Sequence, residues 1–207
     1  MNSKTLTLLG MEELNKNEKR INLSLPEYIT NIDKLRTLVR YQTAPRVSAE
    51  TVAEHSFFVA AYVLKLHDYY EFDLEKALKM AILHDFSEGY ISDVPHPIKK
   101  AYPGIATALQ QIEYNVNKDN INNEFANWLE EFNDMSSPEG IIVALADILS
   151  VVSYAKYEIG LGNSNYMKKV LEGAKGRYIT VLSKAMGLEK EGITMADIFK
   201  SLEEFIK

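Results

Sequence analysis

Four histidines, His55, His67, His84 and His96, are the only imidazoles in the 207-residue chain. His84 is followed directly by Asp85, and Glu88 lies one helical turn further on, on the same face of a continuous helix. His55 stands within Glu54-His55-Ser56, just inside a helix start. A distant carboxylate joins them. Asp147 sits in Gly140-Ile141-Ile142-Val143-Ala144-Leu145-Ala146-Asp147-Ile148-Leu149, where almost every neighbour is apolar. A carboxylate buried there must pair, ligate a metal or take up a proton, because isolated burial of the charge costs more than folding can spare. The alternative is a solvent-facing Asp147 on a strongly amphipathic helix. Two imidazoles with two carboxylates form an N/O donor set suited to a transition metal. On a continuous helix His84 and Asp85 diverge by about 100°, so they share an ion only near their common edge. Three separated helices would then supply the ligands. The chain has no cysteine, which excludes thiolate zinc sites, disulfides and cysteine nucleophiles.

The elements that must position these groups are helices. Pro26 is placed to start a helix carrying Ile29, Ile32, Leu35 and Val39 on one side. Thr51-Val52-Ala53-Glu54 is a capping-box pattern that opens a helix running to about Tyr70. Asp73 caps another whose apolar residues, Leu74, Ala77, Leu78, Ala81 and Ile82, fall at helical spacing. Further helices are predicted over Ile105 to Val116, Ile121 to Phe132, Pro138 to Ile159, Tyr166 to Met186 and Thr194 to Ile206. Ser136-x-x-Glu139 and Thr194-x-x-Asp197 are start signals for two of these. Ser92-Asp93-Val94-Pro95-His96-Pro97 cannot continue a helix, and Gly160 to Asn165 is a second break. No alternating strand pattern or Asn-Gly hairpin turn is present. The expected fold is all-α, one irregular bundle of roughly seven to nine helices over residues 21–207, preceded by a polar extension at 1–20. Gly173-Ala174-Lys175-Gly176-Arg177 lacks the context of a phosphate loop and is expected at the surface.

Hydrophobic residues at 46% and charged residues at 25% are ordinary for a globular chain. The net charge of −6 does not favour a protein that coats nucleic acid or an anionic membrane. The start turns polar too early for a signal-peptide core, and the most apolar stretch, Ile141 to Ala155, is too short to cross a bilayer. A cytoplasmic protein is expected.

His55, then His84-Asp85, then Asp147 resembles the H…HD…D signature of the HD-domain superfamily of metal-dependent phosphohydrolases. Thr51-Val52-Ala53-Glu54-His55-Ser56, His84-Asp85-Phe86-Ser87-Glu88, Asp93-Val94-Pro95-His96-Pro97-Ile98-Lys99 and Ala146-Asp147-Ile148-Leu149 look like the blocks of its bacterial 5′-deoxynucleotidase branch. Glu158 followed by Gly162-Asn163 is similar to the break after that family's last ligand helix. The resemblance extends roughly from Leu35 to Tyr178.

The resemblance implies that His55, His84, Asp85 and Asp147 ligate one divalent ion (Mn²⁺, Co²⁺, Fe²⁺ or Zn²⁺). It implies that Glu88 handles the attacking water's proton and that Asp93 helps orient that water. Arg40 would grip the phosphate. Tyr41, Asp85, Asp93, Val94, Pro95 and His96 would touch substrate. A homodimer is implied as well. Two departures fall in the substrate-reading part: Tyr41 stands where the family has Trp, and His96 where it commonly has Thr. Phosphate-ester hydrolysis needs both an activated nucleophile and neutralised phosphoryl oxygens, which an ion and a fixed guanidinium supply together.

The activity expected is hydrolysis of deoxyribonucleoside 5′-monophosphates. A nucleoside triphosphate hydrolase or other small phosphohydrolase is the runner-up, with Arg46, Lys99 and Lys100 as the visible cationic reserve. A catalytically silent nucleotide-binding module is a third reading, disfavoured by the intact Glu88. His67, followed by Asp68, has flanks unlike any ligand block and is read as structural.

Overall fold

The amide of Ser24 donates to Oε2 of Glu27 at 2.7 Å, and with Pro26 in the first turn this opens helix α1, Leu25–Lys34. The protein is described from a computed structural model covering residues 23–189 and 195–206. The expected extension at 1–20 and the start signal at Thr194 lie outside the described residues. α1 is shorter than its apolar spacing suggests. Leu35 is buried, yet Ile29 is 52% exposed and Asn31 is buried in its place. The cause is the neighbour that α1 packs against. Tyr28 stacks on Phe86 with ring centroids 5.3 Å apart, which turns the Tyr28–Asn31 side inward. Asn31 then reaches Gly89 so closely that a Cβ there would meet its side chain at 2.8 Å.

The capping box at Thr51 forms as read: Oγ1 accepts the Glu54 amide at 3.1 Å and Glu54 Oε2 accepts the Thr51 amide at 2.7 Å. It opens α2, Val52–Leu66, which buries Val52, His55, Val59 and Val63 along one stripe. Asp73 accepts the Lys76 amide at 3.0 Å and opens α3, Leu74–Leu83. Met80 joins Ala77 and Ala81 in the core, whereas Ile82, expected there, is 52% exposed.

Two short helices follow, α4 at Glu88–Ile91 and α5 at His96–Ala101. The expected break is therefore confined to residues 92–95, because Pro97 falls in the first turn of α5, where a missing N–H costs nothing. Next come α6, Pro103–Asn120, and α7, Asn123–Asp134, which Met135 ends in the left-handed conformation. α8 spans Pro138–Gly160. Its cap is Ser137, whose Oγ accepts the Gly140 amide at 3.1 Å, one residue beyond the Ser136 start signal. α9, Ser164–Glu189, and α10, Ala196–Ile206, complete the described chain.

α8 is the axis of the bundle, with α2, α3, α7 and α9 packed around it. Ile141, Ile142, Leu145, Ile148 and Val152 are fully buried from several sides. At 23 residues α8 is long and apolar enough to cross a membrane, longer than its apolar stretch alone suggests, but 83% of its most apolar window is buried within the bundle. A helix apolar on all faces is what a central core position requires. Among the described residues the only β pairing is one antiparallel bridge, Val39 to Thr51. The all-α expectation therefore holds, with eight longer helices and these two short ones among the described residues.

Candidate active site

His55 lies in the first turns of α2 with its ring fully buried, and its Nδ1 is 3.0 Å from Oγ of Ser150 on α8. His84 caps the end of α3 and places Nδ1 2.9 Å from the Ala81 carbonyl. That carbonyl can only accept, so Nδ1 of His84 carries a proton and Nε2 is the nitrogen turned toward the cluster. Both Nε2 atoms are buried without a hydrogen-bond partner. They converge with carboxylates. Nε2 of His55 is 3.1 Å from Oδ1 of Asp147 and 3.9 Å from Oδ2 of Asp85, and Nε2 of His84 is 3.2 Å from that same Oδ2. Donor atoms of His55, His84 and Asp147 all lie within 4.8 Å of one another. Two orphaned imidazole nitrogens aimed at the same point as two carboxylates fit a divalent ion, and the Nδ1 contacts supply the orientation such ligands need.

His84 and Asp85 were expected on one continuous helix with Glu88. The structure differs: α3 ends at Leu83 and the chain turns, with the Phe86 amide bonded to Leu83 O and the Glu88 amide to Asp85 O, each at 3.0 Å. This tighter turn removes the divergence of a continuous helix and lets adjacent side chains face one point. Glu88 re-enters as the first residue of α4.

The electrostatics follow from burial and neighbours. Burial, reinforced by Arg40, pushes His55 down to about 4, so it is neutral at pH 7 with a lone pair free for a metal. Burial opposes charge on His84 too, but Asp85 and Asp147 outweigh it and raise that pKa. Burial alone would raise Asp147; Arg177 and His55 instead hold it well below the usual carboxylate range. Burial, then Asp85 and Asp93, push Glu88 well up, and its Oε2 is buried without a partner.

A cavity of about 730 Å³ opens over this cluster. Asp85, Glu88, Asp93, Val94 and Pro95 line it together with Arg40 and Tyr41. Arg40 places Nη1 3.5 Å from Oε2 of buried Glu50, and its guanidinium lies 5.6 Å from the centre of the Tyr41 ring. Tyr41 adopts φ 56° and stacks on Tyr154 at 5.2 Å, while its backbone N–H bonds Asp93. The side chain of His96 lies outside the described residues. His67 packs edge-on to Phe72 at 5.0 Å, as a structural residue should.

Three residues with clear roles escaped the sequence reading. Glu50 carries no motif beyond its place five residues before His55. Arg177, expected at the surface, lines the cavity and donates to Asp147 Oδ2. Glu158, noted only as a family-like break, is fully buried. It accepts the Val47 amide at 2.8 Å, the Ser48 amide at 2.6 Å and Nδ2 of Asn163 at 2.8 Å. Those bonds tie the segment after Tyr41 to the end of α8. Arg46, read as a phosphate reserve, instead donates to the Tyr41 carbonyl at 2.9 Å and braces the same segment.

Residues 27–177 match the 5′-deoxynucleotidase YfbR-like family. The chain belongs to this family. Its relatives include a 5′-deoxynucleotidase of Pasteurella multocida, 27% identical over 173 residues, 77% of this chain and 86% of the relative. Among solved structures, a Pyrococcus horikoshii protein has TM-score 0.65 and 28% identity, with 88% of this chain and 96% of that one covered. An HD phosphohydrolase of cyanophage S-2L, solved with dA and one catalytic Zn²⁺, shares the fold at TM-score 0.57 and 18% identity, covering 79% of this chain and 94% of that one. This member of the 5′-deoxynucleotidase YfbR-like family has the HD-domain fold.

Proposed function

We propose that this chain hydrolyses the 5′-phosphate of deoxyribonucleoside monophosphates, releasing deoxynucleoside and inorganic phosphate. The observation that carries this reading is the convergence of His55, His84, Asp85 and Asp147 beneath a cavity that also holds Arg40 and Glu88. His55, His84, Asp85 and Asp147 would hold one divalent ion. When bound, such an ion polarises a phosphoryl oxygen and lowers the pKa of water.

The remaining work falls to the chain itself. Arg40, kept charged by Glu50, Asp85 and Asp147 despite its burial, grips the phosphate through a planar fork of donors. Glu88 takes the proton of the attacking water. Burial, Asp85 and Asp93 favour its protonated form, and an ion held beside Asp85 would favour the ionised form that can accept the proton. Asp93 orients that water and, through the Tyr41 amide, keeps the substrate loop against the phosphate arm. Tyr41, Val94, Pro95 and His96 surround the sugar, where a wall against C2′ disfavours a ribose hydroxyl.

Mn²⁺, Co²⁺, Fe²⁺ and Zn²⁺ all suit the N/O donor set, and the Zn²⁺ in the cyanophage structure supports this class of ion. We place the protein in the cytoplasm as a homodimer acting on free nucleotides, without a nucleic-acid or membrane partner. A triphosphate hydrolase on the same scaffold is the second reading, favoured by Lys99 and Lys169 on the cavity lining.

A metal-supplemented phosphate-release assay across dNMPs, NMPs and dNTPs tests the proposal. Orthophosphate from dNMPs, abolished by chelator and restored by Mn²⁺ or Co²⁺, is expected. Release from dNTPs alone would replace it with the second reading.

A further inference from the structure

Arg177 stands on α9 and, beyond its bond to Asp147, has been given no part in holding substrate. Its Nη2 donates to Oδ2 of Asp147, while Oδ1 of the same carboxylate faces Nε2 of His55 at 3.1 Å. The two oxygens of Asp147 therefore serve different partners: one points to the metal cluster and the other to an arginine. Arg177 is the more open member of this pair, its side chain 43% exposed against 10% for Asp147. A guanidinium carries five N–H donors, so one bond to Asp147 leaves most of its fork to face the cavity that Arg177 lines.

A second arginine faces that cavity as well. Arg40 lines it from the segment before α2, braced by Glu50 as Arg177 is braced by Asp147. Each guanidinium keeps donors beyond the one its own carboxylate engages, so both can turn toward an anion that enters the cavity. A phosphate monoester is a dianion near neutral pH, with peripheral oxygens for an ion and for more than one bidentate donor. The wall around Arg177 also leaves it room. A Cβ on Gly173, which lines the cavity, would meet no atom within 4 Å.

We propose that Arg177 is a second phosphate-binding arm, which closes on the nucleotide's phosphate together with Arg40 while keeping its hold on Asp147. This inference rests on the phosphomonoester reading above. It makes the site a two-arginine clamp, with each arginine positioned by its own carboxylate.

The test uses the full chain as wild type, Arg177→Met and Arg177→Lys, and titrates each by calorimetry with Mn²⁺ and then, once loaded, with inorganic phosphate. In Arg177→Met the Mn²⁺ affinity should stay within about 3-fold, while phosphate binding and KM for dAMP should weaken by about 10-fold or more. Arg177→Lys should recover part of the phosphate affinity, because it restores the charge without the fork. Unchanged phosphate affinity in Arg177→Met would overturn the inference. So would a loss of Mn²⁺ affinity as large as the loss of phosphate affinity, since Arg177 would then act only as a prop for Asp147. Wild-type protein that binds phosphate through Arg177 yet releases none from dNMPs would count against the proposed substrate and leave the clamp standing.

Discussion

Nε2 of His55 lies 3.1 Å from Oδ1 of Asp147, joining α2 to α8 at the point where both helices bury a polar atom. Without an ion this contact places a neutral imidazole beside a buried carboxylate, and Nε2 of His55 makes no hydrogen bond. An ion that satisfies both should bind the folded chain far better than the unfolded one. At a Mn²⁺ concentration 100 times its Kd, the fold should gain about 2.7 kcal/mol, raising Tm by roughly 5–10 °C. Thermal melts with Mn²⁺ and with EDTA check this, and His55→Ala should erase the difference. Equal melts for the wild type in both conditions would remove the metal site.

Glu88 touches the cavity without belonging to the ligand cluster, so Glu88→Ala should separate binding from chemistry. Metal content and nucleotide affinity should persist while kcat falls by roughly 10² or more. Single-turnover phosphate release alongside calorimetry measures both quantities. A near-normal kcat would return Glu88 to a structural role.

Tyr41 is held by its stack on Tyr154 and by the bond from its backbone N–H to Asp93, which makes it a rigid wall. The ratio of kcat/KM for dAMP over AMP should exceed one in the wild type and change in Tyr41→Trp, while base preference stays weak. Equal rates on the two substrates would defeat sugar selection at this wall.

Glu50 gives a prediction with a definite sign in pH. Burial lifts its carboxyl from 4.5 to about 7, only partly offset by Arg40. The folded state thus binds this proton more tightly than the unfolded one. Its contribution to stability is full below pH 4.5 and is lost as pH rises through 7. Urea denaturation at a series of pH values should show that Glu50→Gln flattens this part of the wild-type profile. An unchanged slope would mean that Glu50 is ionised in the fold at all of these pH values.

Local signals were the legible ones. The caps at Thr51 and Asp73 depend on residues three apart, so they read correctly from the chain alone. The convergence of His55, His84 and Asp147 was legible because imidazoles are scarce and Asp147 has no polar company. Ile29 and Ile82 were misplaced because an apolar spacing says nothing about which neighbour will cover it. α1 meets Phe86 through Tyr28, and that partner decides which side turns inward. Arg177 and Glu50 were missed for a related reason. Each is placed by a contact, with Asp147 or with Arg40, that exists only once α8 and α9, or the two ends of the loop, lie side by side.

α8 carries Asp147 and, three turns later, Glu158, which anchors the loop that follows the phosphate arm. Their separation along the axis is set by helical rise, about 16 Å for eleven residues. The helix therefore works as a gauge block between the metal point and the substrate arm. Changes to side chains along its length leave that spacing intact, whereas inserting one residue between 147 and 158 would swing the anchor by about 100°. Length variation within this family member should accumulate at the loops beyond the anchor, and this stretch of α8 should keep its residue count.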